Sequence, residues 1–183
     1  MQKNILRNLN FLIYFLIATA IVTIQSTLFK YFPLNYLQPD FLLILSVYFG
    51  FKREALEGGI FIIMASLVLE AHSAAGRFFF LTCYLYAFVI SKILSRIIVV
   101  PNRASVTFVS MGLTVLWKLG ILVLLSTQGR AENGIKHFLI YLIPSIVTQG
   151  FATPFLFQLF NTIDLRTFKD EHAEDEYDMN KGF

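Results

Sequence analysis

The chain has 183 residues, of which 56% are hydrophobic and 15% charged, with a mean hydropathy of +0.65 and a formal net charge of +3. Soluble domains carry about 25% charged residues, so the composition excludes a soluble globular enzyme or binding module and indicates an integral membrane protein. One cysteine, Cys83, excludes an internal disulfide or a Cys-rich metal centre. The charge is uneven: residues 164–183 carry three basic and seven acidic side chains, leaving twelve basic and five acidic groups for the rest. A basic membrane body with an acidic tail accounts for the pI of about 9.0 without nucleic acid.

In chain order, the first apolar run covers residues 9–29. Lys3 and Arg7 precede it, and Ala18-Thr19-Ala20 resembles a signal-peptidase site. The run nevertheless continues to Phe29, which predicts an uncleaved first span. Asn8, Leu12, Phe15, Thr19, Thr23 and Ser26 recur at helical spacing. Thr19, Thr23 and Ser26 then either bond between helices or wall a polar cavity.

Runs of eleven and twelve residues follow, 41–51 and 58–69, separated by "KREALE". A span needs about 20 apolar residues. These runs therefore form a re-entrant hairpin, or two short helices over 34–51 and 55–71 shielded by longer neighbours. Ser46 and Gly50, and further on Ala65 and Ser66, put small residues on shared faces, for helix packing or as a groove for a partner helix. Three long spans complete the set, at 78–98, 104–127 and 138–160.

Loop charge favours six crossings. Ten Lys and Arg then fall on one side, among them Lys52, Arg53, Lys92 and Arg96, against four on the other: Lys30, Arg77, Arg130 and Lys136. Both termini are accordingly expected in the cytoplasm. The predicted fold is all-α and polytopic, with six transmembrane helices of which the second and third are short. It divides into a bundle over 1–163 and an acidic, solvated tail over 164–183 containing "DEHAEDEY".

Polar residues inside the spans are the candidate sites. Lys118 lies mid-span on a stripe with Thr107, Met111 and Thr114. A lysine at that depth costs about 2.5–3.5 kcal/mol on insertion scales, so it is expected to face the bundle and pair with an acid. Glu70 is the expected partner, in a structural ion pair or an ion or substrate site. The face of Ser105, Val109, Gly112, Leu116 and Gly120 is smooth enough to receive another helix. In the last span Pro144 and Pro154 are expected to bend the helix, with Thr148 and Gln149 serving the freed carbonyls. "LEAHSAAG" (69–76) invites a catalytic reading, but Glu70 and His72 are two apart and diverge on a helix. His137 and His172 fall on opposite sides of the membrane. No catalytic residue, metal ligand or cofactor is predicted.

Three blocks, in order, carry a family resemblance. "QPDFLLILSVYFGF" (38–51) resembles the opening of the second span in MreD, the rod shape-determining membrane protein family of bacteria. "LVLEAHSAAG" (67–76) resembles that family's acid-x-x-Ser-Gly segment, and "TQGFATPFLF" (148–157) its last-span pattern. The matching positions are Pro39, Asp40, Glu70, Ser73, Gln149, Gly150 and Pro154. Glu70 stands where the family usually has Asp, and Ala74 where it often has Gly. The resemblance implies a non-enzymatic component of the cell-elongation machinery in the bacterial cytoplasmic membrane. It would bind the membrane helix of MreC and, indirectly, MreB filaments and peptidoglycan synthases; a homo-oligomer is compatible with this. The family is also similar in fold to substrate-binding components of energy-coupling-factor vitamin transporters, which is the alternative function.

Overall fold

A computed structural model describes residues 2–28, 38–72, 78–98, 103–127 and 131–167. Secondary structure among them is helical: α1 (Gln2–Leu28), α2 (Phe41–Lys52), α3 (Ala55–Ala71), α4 (Phe79–Ile97), α5 (Arg103–Thr127) and α6 (Ala131–Thr167). Three contain stretches long and apolar enough to cross a membrane, Phe79–Ile97, Arg103–Val123 and Phe138–Thr167. Shorter apolar helix covers Asn10–Gln25 and Phe41–Lys52. Among the described residues, three of the six expected crossings are long and apolar enough to span a membrane.

The shortest helix is the centre of the bundle. α2 has 12 residues, about 18 Å at 1.5 Å per residue. Every residue from Leu42 to Gly50 is buried, and α2 packs against all five other helices. Its sequence is apolar all round, the pattern of a helix without a solvent face. The expected extension back to residue 34 stops at Phe41 because Asp40 caps the helix, its carboxylate accepting from the Leu43 amide at 2.9 Å. At the other end Arg53 turns extended, and only Arg53 and Glu54 separate α2 from α3.

α4 lies across both short helices. Gly50 makes this possible, since a methyl there would meet Ser91 Cβ at 2.5 Å. Gly58 does the same for the Phe88 ring, 2.7 Å from a methyl at that position. Ser46, Gly50, Ala65 and Ser66 are all buried, so none of them opens onto a groove for a partner helix. The Ser46 and Ser66 hydroxyls are spent within their own helices, on Leu42 O and Ile62 O. On α5, by contrast, methyls at Gly112 or Gly120 would meet nothing within 4 Å, so the smooth face is open at those two positions.

Three further expectations change. The stripe of α1 that faces inward is Asn10, Tyr14, Ala18 and Val22. Leu12 of the predicted stripe is 52% exposed, and Thr19 and Thr23 each donate to the carbonyl four residues back. The Asn8 and Ser26 side chains lie outside the described set. α6 is a single helix of 37 residues that passes through both Pro144 and Pro154. Thr148 bonds Pro144 O at 2.9 Å, whereas Gln149 is used elsewhere. Finally, α6 continues to Thr167 with Asp164 inside it, so the bundle ends at least four residues later than the predicted boundary at 163. Residues 168–183, the remainder of the predicted tail, lie outside the described residues.

Candidate functional site

Two polar clusters sit at opposite ends of α2. At its C-terminal end Arg53, 5% exposed, reaches under α6. Its Nη2 lies 2.6 Å from Asp164 Oδ1 and 2.7 Å from Asn10 Oδ1, and its Nη1 is 3.5 Å from Glu57. Tyr14 donates to Asp164 Oδ1 at 2.9 Å, and Tyr48 to Oδ2 at 2.6 Å. Asn10 adds a fourth donor to the carboxylate at 3.1 Å and also bonds the Thr167 hydroxyl. The guanidinium sits 5.8 Å from both the Tyr14 and Phe49 ring centroids, within cation–π range. Lys92 of α4 donates to Arg53 O. Five of the six helices are tied at this one point, through two ion pairs of Arg53 and the hydrogen bonds around them. A buried pair is tolerated when its remaining lone pairs and protons are satisfied, and the two tyrosines and Asn10 do that for Asp164.

The other cluster surrounds the N-terminus of α2. Asp40 accepts from Tyr84 at 2.8 and 3.0 Å as well as from the Leu43 amide. Its backbone is clasped by one side chain of α6: the Asp40 amide donates to Gln149 Oε1 at 2.8 Å, and Gln149 Nε2 donates back to Asp40 O at 3.2 Å. Gln149 Nε2 also reaches Ser110 Oγ at 3.2 Å, and Thr153 donates to the same oxygen at 3.0 Å, which carries the network into α5. Gln25 of α1 donates to Pro39 O at 3.0 Å. A chain entering its helix inside a bundle has backbone groups that water cannot serve. Gln25 and Gln149 serve them.

Beside this network is a half-open cavity of about 270 Å³. Val22, Gln25, Asp40, Thr114, Ser145 and Gln149 line part of it. Its aromatic wall is Phe80, Tyr84 and Trp117, with Trp117 stacked on Tyr84 at 4.7 Å and 28°. Lys118 lines it too, close enough to Asp40 for their charges to interact, yet no ion pair within 4 Å joins Lys118 to any described acid. The Tyr141 ring lies 5.9 Å from its Nζ.

The candidate residues chosen from sequence separate accordingly. Pro39, Asp40, Gln149 and Lys118 gather at the cavity end, and Gly150 packs against Met111 of α5. Pro154 is a half-buried residue within α6. The expected ion pair of Glu70 and Lys118 is not formed: Glu70 is not among the residues lining the cavity, and its Oε1 is buried with no hydrogen-bond partner. The acid that shares the cavity with Lys118 is Asp40, placed there as the N-cap of α2. Of "LEAHSAAG", Leu69 lines the cavity and His72 caps α3, its Nδ1 2.8 Å from Val68 O. Ser73 and Ala74 lie outside the described residues. The chain re-enters helix at Phe78, whose φ of 63° is the left-handed conformation that side chains other than glycine seldom adopt.

Arg53, Asp164, Asn10, Tyr14, Tyr48, Tyr84 and Ser110 escaped sequence reasoning. The signal for the first set was present: Asn10 and Tyr14 are four apart on a span, as an inward-facing polar stripe would be. Arg53 and Asp164 read as loop and tail charges, and only packing shows otherwise. No protein-family model, curated protein or solved structure matches the chain.

Proposed function

We propose that this protein is a non-enzymatic membrane scaffold of the MreD kind, which binds the membrane helix of MreC and helps couple MreB filaments and peptidoglycan synthases during cell elongation. One observation carries the reading. The paired hydrogen bonds between Asp40 and Gln149 join two of the three sequence blocks on which the resemblance rests, across 109 positions of sequence. The motif residues thereby acquire a physical reason: an acid that starts a buried helix and an amide that clasps it. A rigid hub with α2 at its centre suits a protein that holds partners in fixed relation. In this reading the bundle is multi-pass in the bacterial cytoplasmic membrane, with the Arg53 end and both termini on the cytoplasmic side.

A tagged full-length copy, crosslinked in native membranes and purified in mild detergent, tests the assignment by mass spectrometry. Recovery of a single-span protein with a large outer domain, together with cell-wall synthases, is the expected outcome. For sidedness, Lys52→Cys in a Cys83→Ser background is expected to react with impermeant thiol reagents only from the cytoplasmic face; labelling from outside would overturn the orientation. Lys52 is exposed and suits this test, whereas Arg53 is buried.

A second reading, the substrate-binding membrane component of an energy-coupling-factor vitamin transporter, is favoured by the cavity. Convergent polar groups on an aromatic wall are what a small-molecule pocket needs, although 270 Å³ falls below the roughly 300–1,000 Å³ of most such pockets. Co-purification of an energy-coupling membrane subunit with two ATPases would replace the scaffold reading with this one.

A further inference from the structure

Lys118 is a charge within the described bundle that fronts open space. Its ammonium carries three donors and no acceptor. Among the described residues it has no ion pair within 4 Å and no hydrogen bond; the Asp40 charge acts on it from across the cavity, and the Tyr141 ring lies 5.9 Å away. Asp40, in the same cavity, is in the opposite condition. It takes the Leu43 amide and the Tyr84 hydroxyl, and it stands at the N-terminus of α2, where the helix dipole favours a negative charge. Asp40 is thus provided for without Lys118. The space around Lys118 is empty of protein and about 270 Å³ in volume, bounded on one side by Trp117 and Tyr84. An unmet ammonium held within an apolar span is costly. Here it fronts an open cavity with a flat aromatic wall.

We propose that this cavity binds a small acidic group, a carboxylate or phosphate seated on Lys118, with the attached flat or apolar body lying against Trp117. The volume admits a small organic acid or the headgroup end of an anionic lipid, and excludes a whole lipid. Asp40 sets the orientation, since the acidic end of the ligand is repelled from it and drawn to Lys118. Gln25 and Ser145 lie on the cavity wall within the same space. The site does not depend on which proteins the bundle assembles with.

Trp117 is the sole tryptophan, so its emission reports on the cavity wall without a label. The full chain in mild detergent is titrated with benzoate, with the neutral isostere benzamide, and with inorganic phosphate. Benzoate is expected to change the emission saturably and to bind at least about tenfold tighter than benzamide, a difference of about 1.4 kcal/mol. Lys118→Gln should abolish the response and Lys118→Arg should keep it. Ser145→Phe, which fills the space and leaves the lysine, should also abolish it. All variants are checked for the parental elution volume. In phosphatidylcholine bilayers, added phosphatidylglycerol that shifts the emission and blocks benzoate identifies a lipid headgroup as the occupant; an unimpeded benzoate response identifies a soluble acid. Emission unmoved by benzoate, phosphate and phosphatidylglycerol alike would overturn the proposal, as would a response that survives Lys118→Gln. Either result would leave water as the filler of the cavity.

Discussion

The two ends of α2 solve the problem of charge inside an apolar bundle in different ways. At the Arg53 end the ions touch at 2.6 Å, and the carboxylate takes further donors from Tyr14, Tyr48 and Asn10. The space there is about 10 Å³, enough for about one water at most. At the Asp40 end the acid and the lysine share a cavity of about 270 Å³ without an ion pair. One end is a closed knot that fixes helices, and the other is held open. A buried ion pair repays its desolvation only when geometry and extra hydrogen bonds are both good; the first cluster meets that condition at Asp164, and the second leaves it to be met from outside.

The comparison can be broken by mutation. The largest effect is expected for Asp164→Ala, which strands Arg53 in the bundle and should cost about 3–5 kcal/mol. Thermal unfolding in detergent would register it, and Arg53→Met combined with Asp164→Leu should recover most of the loss. A single substitution without effect would mean that the knot is ornamental. Gln149→Leu comes next. It removes the partner of the Asp40 amide and carbonyl and should cost about 1–3 kcal/mol, with faster amide exchange at Asp40 as the local readout.

Gly50→Val should cost about 1–3 kcal/mol by overpacking α2 against Ser91, and a suppressing Ser91→Gly would confirm the contact. Lys118→Met sharpens the comparison most. With no direct partner to strand, it is expected to be neutral or stabilising within about 1 kcal/mol on the same unfolding assay, against the large loss at Asp164. A loss as large as that of Asp164→Ala would show that the two ends are alike. The smallest effect is expected for truncation after Thr167. It keeps Asp164 and should leave unfolding unchanged within about 0.5 kcal/mol, whereas truncation after Ile163 should match Asp164→Ala.

Much of the bundle was legible in the chain. The long apolar runs announced α4, α5 and α6, and the all-round apolarity of residues 41–51 was a sign of complete burial. Its shortness drew attention to a re-entrant hairpin, because a run of that length cannot cross a bilayer unaided. Enclosure by five other helices removes that requirement. The candidate sites were less legible. Asp40 and Gln149 were singled out as motif positions, but their mutual bonds span 109 residues, and nothing local in sequence measures that. Glu70 was chosen for Lys118 because both were placed in the same half of the membrane. The choice failed because side-chain direction depends on helix rotation, which charge counting does not contain.

The sequence by itself determined that the chain is helical, apolar enough for a membrane, poor in cysteine, and provided with small residues where short helices must approach closely. Those properties follow from composition and periodicity, which act within a few residues. Tertiary structure alone decided which charges meet. Arg53 and Asp164 are 111 positions apart and look like surface charges in sequence. Helix packing brings them together because burying the guanidinium requires a carboxylate, and the last turns of α6 supply it. Lys118, on a helix that could have turned it toward Glu70, instead faces a space that no described residue fills.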